Sequence, residues 1–260
     1  MHIYVYDDFV NQKKYNKLIA KIETRLTDLG LNGKIIRLNQ TQNSSLLIEN
    51  ELRLGAKTIV AVGNDRTFSK VFQPFANFSA RNPSNACLGF IPIGQENNQT
   101  AKCLGISPEE LACDVLSARR IETLDLGQAL SLNNNSVKFF LTQAELNSQG
   151  AIVELPNKIK IEVSDPGHIY VLNISGFTNL PQNKQVNPFD GRLELYIEAN
   201  INKGLMKKQT SQSLFTVKTT TLMSPNSKVI LDNAEELITP AEISVLKNRI
   251  NVIIGKDRNF

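Results

Sequence analysis

The chain of 260 residues is 41% hydrophobic and 21% charged, enough apolar material for one large core or two modest ones. Its 29 basic and 25 acidic residues leave a formal charge of +4 with no concentrated basic tract, so a nucleic-acid partner is not expected. Cys87, Cys103 and Cys113 lack CxxC spacing and nearby histidines, and no apolar run approaches the roughly 20 residues of a membrane span, which argues against a zinc site or an integral membrane protein.

In chain order, HIYVY reads as a strand, Tyr15 to Leu29 as a helix, KIIRL as a strand and the region around Leu46 to Leu54 as a helix. TIVAV follows as a buried strand, with Phe68, Val71 and Phe72 at helical spacing after it. CLGFIPI, Cys87 to Ile93, is another buried strand, a helical stretch comes next, and RIETLDLG closes the series. This alternation predicts an α/β N-terminal domain over 1–127, a parallel sheet with helices on both faces. From SVKFFLT onward the pattern changes to short strands: KIKIEV, HIYVLNIS, RLELYIEA, SLFTVKTTTLM, KVILD and NRINVIIG, punctuated by Pro156, Pro166-Gly167, Asp190-Gly191 and Pro225. An antiparallel β-sandwich domain is expected over 128–260, its last strand directed back toward the first domain. The boundary is placed within the polar, turn-rich stretch from Asp125 to Asn135.

Two loops carry the chemistry. Gly63-Asn64-Asp65-Arg66-Thr67 joins a buried strand to a helix, the geometry that aims backbone N–H groups at a phosphate. Taken alone, it reads better as an ordinary turn in which Thr67 caps the helix. The second loop, IPIGQENNQTAKCLGI, follows the next strand. Pro92 and Gly94 shape it, and Asn97 and Asn98 are placed to bond a nucleotide or cap a helix.

Together, in this order and spacing, the loops resemble those of the diacylglycerol kinase catalytic family, which includes bacterial soluble lipid kinases and shares its N-terminal architecture with NAD kinases. The family's GGDGT loop is GNDRT here, and its P-x-G-T-x-N-D segment before A-x-x-L-G-I is PIGQENNQTAKCLGI. NPFDGRLELYI resembles its P-x-x-DG-x-L-D-V segment, and LDNAEELITP its DGE segment with the following Thr-Pro. The resemblance implies a two-domain lipid kinase-like architecture with a cleft, and ATP- and Mg²⁺-dependent phosphoryl transfer to a lipid or other alcohol. It also implies Asp232 as the catalytic base, a nucleotide site at Gly63, Asn64, Asp65, Arg66, Thr67, Gly94, Gln95 and Asn97, and Asp190 as a metal ligand.

The departures from that pattern converge on one task. The family's N-P-x-S-G phosphate loop is replaced by YDDFVNQ, and two loop glycines have become Asn64 and Arg66. The glutamate after the threonine is Lys70, the second loop's threonine is Gln95, a following glycine is Glu96 and its aspartate is Asn98. The glutamate of DGE is lost as Ala234. Glycine is the inexpensive residue where a phosphate cradle needs positive φ, so these replacements weaken the cradle. The expectation is therefore a divergent lipid kinase-like protein with degenerate phosphate loops, active or retained as a non-catalytic ligand- or partner-binding protein; a small-molecule kinase of NAD kinase type is the further alternative. A cytoplasmic location is expected. Ile201 to Gln209, with Lys203, Lys207 and Lys208 beside Leu205 and Met206, has a composition suited to peripheral membrane contact, though by composition alone a solvated hairpin with its lysines outward is the better reading. His2 and His168 read as structural, and Phe139, Phe140, Tyr170, Phe177 and Tyr196 as core.

Overall fold

A computed structural model describes residues 1–39, 43–82, 84–94, 98–175, 180, 185–202, 208–225 and 227–260, with backbone alone at 201, 202, 208 and 209. The chain divides into two compact units, Met1–Leu124 with Arg249–Asn259, and Asp125–Asn248 with Phe260.

The first unit is built from β1 (His2–Tyr6), α1 (Asn16–Asp28), β2 (Gly33–Arg37), α2 (Ser44–Arg53), β3 (Thr58–Gly63), α3 (Asp65–Arg81), β4 (Cys87–Pro92), α4 (Gln99–Cys103) and α5 (Leu111–Ala118). Its strands lie in the order β2-β1-β3-β4, and every pair is parallel. Every residue of β3 and β4 is buried, which is why both read as continuous apolar runs rather than alternating ones. Helix α3 buries Phe68, Val71, Phe72 and Phe75, one stripe at i, i+3, i+4 and i+7, and its Phe68 ring lies 5.0 Å from that of Phe90 in β4. Each such side chain, fully buried, is worth about 1.5–3 kcal/mol over exposure.

The order of these strands places a topological switch between β1 and β3, since the chain winds one way from β1 to β2 and the other way from β3 to β4. Ligands of open parallel sheets gather beyond the carboxyl ends of the strands at such a switch. Here those ends are Tyr6-Asp7 and Gly63-Asn64. All three cysteines are free and buried in this unit, and burial pushes the Cys113 thiol up to about 11.

Two long strands contribute to both units: β5 (Ile121–Ser131), and β16 (Ala241–Ile253), whose Asn251 and Val252 pair in parallel with Cys87 and Leu88. Between them the second unit runs through β6 (Val137–Phe140), β7 (Gln143–Asn147), β8 (Ala151–Leu155), β9 (Ile159–Val163), β10 (Gly167–Leu172), β11 (Leu193–Asn202), β12 (Lys208–Val217), β13 (Thr219–Met223), β14 (Lys228–Leu231) and β15 (Glu235–Ile238). One layer is an antiparallel sheet ordered β12-β11-β10-β7-β14-β15. Its inward residues, among them Leu146, Ile169, Leu195 and Val229, pack with Val153, Leu222 and Ile243 from the facing strands β8, β13 and β16. The α/β first unit and the antiparallel second sheet are the architecture expected from the sequence. Phe139, Phe140 and Tyr196 are buried as expected; Phe177 lies outside the described residues.

A buried carboxylate organises the second unit. Asp125 is 0% exposed; its Oδ2 accepts from Gly191 N at 2.5 Å and its Oδ1 from Asn248 N at 2.7 Å. Gly191 has φ +73°, and a Cβ there would stand 2.9 Å from the Lys247 side chain, so the DG pair is needed at that turn. Among the described residues, no helix is long and apolar enough to cross a membrane.

Candidate functional site

The helix that opens after the GNDRT loop is capped by Asn64, not by Thr67. Asn64 Oδ1 accepts from Thr67 N at 3.2 Å and Thr67 Oγ1 accepts from Asn64 N at 3.2 Å, a reciprocal capping box. Asn64 is extended at φ −108°, and Arg66 lies inside the first turn of α3 with its side chain exposed. Neither residue adopts positive φ in this chain. Gly63 does matter: a Cβ on it would fall 2.1 Å from Thr67 Oγ1.

The Thr67 hydroxyl, having accepted from Asn64, donates to Asp7 Oδ2 at 2.9 Å. Lys70 Nζ donates to the same oxygen at 3.0 Å. Asp7 is 6% exposed and follows β1 directly, and its own N–H donates to Val62 O at 3.3 Å. A carboxylate thus sits beside the N-terminal turn of a 17-residue helix, at the carboxyl ends of β1 and β3. That is the end of a helix where negative charge is stabilised.

Asp65 is engaged in the other direction. Its Oδ2 accepts from Gln99 N at 2.7 Å and its Oδ1 from Thr100 N at 3.1 Å, so it caps α4 from a different segment and ties the loop after β4 to the start of α3. Asn98 occupies the cap position of α4 without a side-chain cap bond; its Nδ2 donates instead to Gly94 O at 2.6 Å, where Gly94 adopts φ +84°. Gln95, Glu96 and Asn97 lie outside the described residues. So the fold gathers Gly63, Asn64, Asp65, Arg66, Thr67 and Gly94 in the first unit, while Asp190 and Asp232 belong to the second.

Asp232 turns the hairpin from β14 to β15 with φ 49°, followed by Asn233 at φ 56°. Its carboxylate is a hub. Oδ2 accepts from Leu141 N at 2.7 Å; Oδ1 accepts from Thr142 N at 2.8 Å, Thr142 Oγ1 at 2.5 Å and Gln143 N at 3.0 Å. Burial pushes its carboxyl above the ordinary carboxylate value, opposed by the Thr142 hydroxyl and the three backbone donors. Asp190 is exposed, and its Oδ1 accepts from Arg192 N at 2.9 Å, an Asx turn. Among the described residues no group of three or more His, Cys, Asp and Glu is arranged to hold a metal ion. Of the Ile201 to Gln209 segment only the strand backbone at 201, 202, 208 and 209 is described.

The family model of the diacylglycerol kinase catalytic domain matches residues 3–129. Over those residues the chain is similar to that domain. The match takes in β1 from Ile3, β2, β3, β4 and both loops, and extends through the part of β5 that holds Asp125. A diacylglycerol kinase from Bacillus anthracis str. Sterne is similar in fold over 98% of this chain and 97% of its own, with a TM-score of 0.74 at 16% identity. A putative diacylglycerol kinase from the same organism gives 0.73 at 15% identity, covering 98% of this chain and 97% of that one. An NAD kinase from Archaeoglobus fulgidus, solved in complex with ATP, covers 100% of this chain and 96% of its own at a TM-score of 0.60 and 16% identity. No curated protein is recognisably similar to the chain in sequence.

Motif comparison singles out Lys70 and Asn98 but not their partners, and it passes over Asp7. Asp7, Lys70 and Asn98 matter through partners 63, 63 and 4 residues away. Asp7 does leave one trace in the sequence: an acidic pair, Asp7-Asp8, directly after a buried parallel strand, at the end of the sheet where ligands gather.

Proposed function

We propose that this protein is a divergent diacylglycerol kinase-type chain whose phosphate subsite is filled from within by Asp7, and that it acts as a non-catalytic binding protein. The observation that carries this reading is the pair of bonds from Thr67 and Lys70 to Asp7 Oδ2 at the switch point. A nucleotide phosphate arriving there would meet a carboxylate of its own sign, and would have to take the Thr67 hydroxyl and the Lys70 ammonium away from it.

A second carboxylate is also engaged. Each oxygen of Asp65 accepts a backbone N–H group of α4, so a metal ligated there would compete with the bonds that anchor that helix. The residues of the sequence pattern support the same reading, because two charges have changed together. Lys70 stands where the family carries glutamate, and Asp7 stands in the segment that replaces the family's phosphate loop, and these two are ion-paired.

A second reading is favoured by the family match itself: an ATP- and Mg²⁺-dependent kinase acting on a lipid hydroxyl, with Asp232 as base. Asp232 then has to act through an oxygen already engaged by backbone donors, which weakens a base. ADP formation in detergent micelles containing diacylglycerol, measured for the wild type against Asp232→Asn, separates the readings. The proposed function gives equal, background rates. A wild-type rate that rises with diacylglycerol and is lost in Asp232→Asn favours the kinase.

A further inference from the structure

One strand edge in the second unit is left open. Strand β9, with the sequence IKIEV, ends its sheet: it pairs with β8 on one side and with no strand on the other among the described residues. Val163 is buried and Ile161 packs against the core of that unit, whereas Ile159 is 55% exposed and Lys160 and Glu162 lie on the opposite, solvent face. Val163 O accepts from Gly150 N at 2.9 Å, on the β8 side of the strand. Backbone groups alternate in direction along an antiparallel strand, so the N–H and C=O of Lys160 and Glu162 face outward from the sheet edge.

An edge of this kind is a template for a further strand, and chains ordinarily blunt it with charge, proline or a bulge. Strands β2, β6 and β12, also at edges, carry bases and no acid, and β15 carries acids and no base. Strand β9 alone carries one of each, two positions apart on one face. Lys160 Nζ lies 3.6 Å from Glu154 Oε2, directly across the ladder in β8, while Glu162 makes no ion pair among the described residues.

The pleat and these charges select the added strand. When two copies of β9 join antiparallel about a twofold axis, each residue must face one on the same side of the sheet, so the axis passes through a residue. The centre that pairs the whole strand is Ile161. It sets Lys160 opposite the partner's Glu162, and Glu162 opposite the partner's Lys160, with Cβ atoms about 4.5–5.5 Å apart. Lys160 then stands between Glu154 of its own chain and the partner's Glu162. The same residues carry the outward N–H and C=O groups, so they form the hydrogen-bonded pairs of the new ladder. On the core side, Ile161 meets the partner's Ile161, and the exposed Ile159 meets the partner's Val163. A shift of the centre to Lys160 or to Glu162 sets like charges face to face, which fixes the register.

We infer that β9 is a self-association edge, occupied by β9 of a second copy of this chain in antiparallel register about Ile161. The interface lies wholly on the second unit and does not depend on whether the chain transfers phosphate.

Sedimentation velocity of the full chain over a range of about 1 to 300 μM tests it. A monomer–dimer equilibrium is expected, with a dissociation constant on the order of tens of micromolar because a short edge buries little area. Glu162→Lys sets lysines against each other and should weaken the dimer about tenfold or more. Glu162→Pro should do the same, since it removes an outward N–H without touching the ladder to β8. Combining Glu162→Lys with Lys160→Glu makes both cross-edge pairs opposite in charge again and should restore the dimer. Thermal melts establish that each variant is folded. A wild type that is monomeric throughout, which leaves the edge to solvent or to a foreign strand, would overturn the inference. So would a dimer undiminished in folded Glu162→Lys, or a folded charge-swapped chain that stays monomeric.

Discussion

Thr67 Oγ1 donates to Asp7 Oδ2 at 2.9 Å, joining the start of α3 to the end of β1 across 60 residues of chain. The bond exists because the capping box turns the Thr67 hydroxyl proton outward, and because a helix N-terminus stabilises an anion. Asp7→Ala leaves the Lys70 ammonium and the Thr67 hydroxyl without their shared acceptor. It should cost about 1.5–3 kcal/mol in chemical denaturation. Added inorganic phosphate should recover part of that loss in Asp7→Ala and leave the wild type unchanged; a variant as stable as wild type would show that the carboxylate is not held there.

Asp65 should behave as a cap supplied by another segment. Asp65→Ala removes the acceptor of the Gln99 and Thr100 amides and is expected to destabilise the chain by about 1–2 kcal/mol. Hydrogen exchange reads the effect locally: the amides of Gln99 and Thr100 lose protection, while those of β3 keep theirs. Unchanged exchange at both amides would contradict this role.

For Asp232 the structural and catalytic roles predict different stabilities. Removing a carboxylate that accepts three backbone N–H groups and a hydroxyl should cost about 2–4 kcal/mol in Asp232→Ala, since these buried donors lose their partner. A residue kept only as a general base would tolerate the change with its Tm intact.

His2 carries a pH dependence whose sign follows from its surroundings. Burial, with the positive charge of the Met1 amino group and Arg119 added, holds its imidazole below the ordinary value of 6.5. The folded state prefers the neutral ring, so below that pH the unfolded chain takes up the proton first. The contribution is fully present above 6.5 and is lost as pH falls through the lower folded-state value. Thermal melts at about pH 7.5 and about pH 5.5 should show a larger drop for wild type than for His2→Gln. Equal drops would contradict the assignment.

The parallel sheet was legible because β3 and β4 are buried on both faces and carry unbroken apolar runs, and α3 because Phe68, Val71 and Phe72 stand at helical spacing. Strands β7 and β8 were not. Their QAELN and AIVEL segments carry Gln, Ala and Glu, weak strand formers, and become strands because neighbours hold them: β7 pairs with β10 and β14, and β8 with β9 and β13. SLFTVKTTTLM, one run in the sequence, divides into β12 and β13, since Lys218 breaks the ladder between pairings to β11 and to β16. At the site, the sequence displayed the loop but not its occupant. The altered glycines drew attention to backbone conformation, whereas the deciding feature is a side chain 60 residues away, which no local pattern encodes.

The central claim is that Asp7, not a nucleotide phosphate, occupies the switch point. Calorimetric titration of Mg²⁺·ATP into the wild type and into Asp7→Ala tests it most directly, because only a ligand that gains contacts at the native site yields saturable heat. The account predicts no saturable binding to wild type and measurable binding to Asp7→Ala, where Thr67 and Lys70 are released. Micromolar binding to the wild type that is weakened by Asp7→Ala would contradict it.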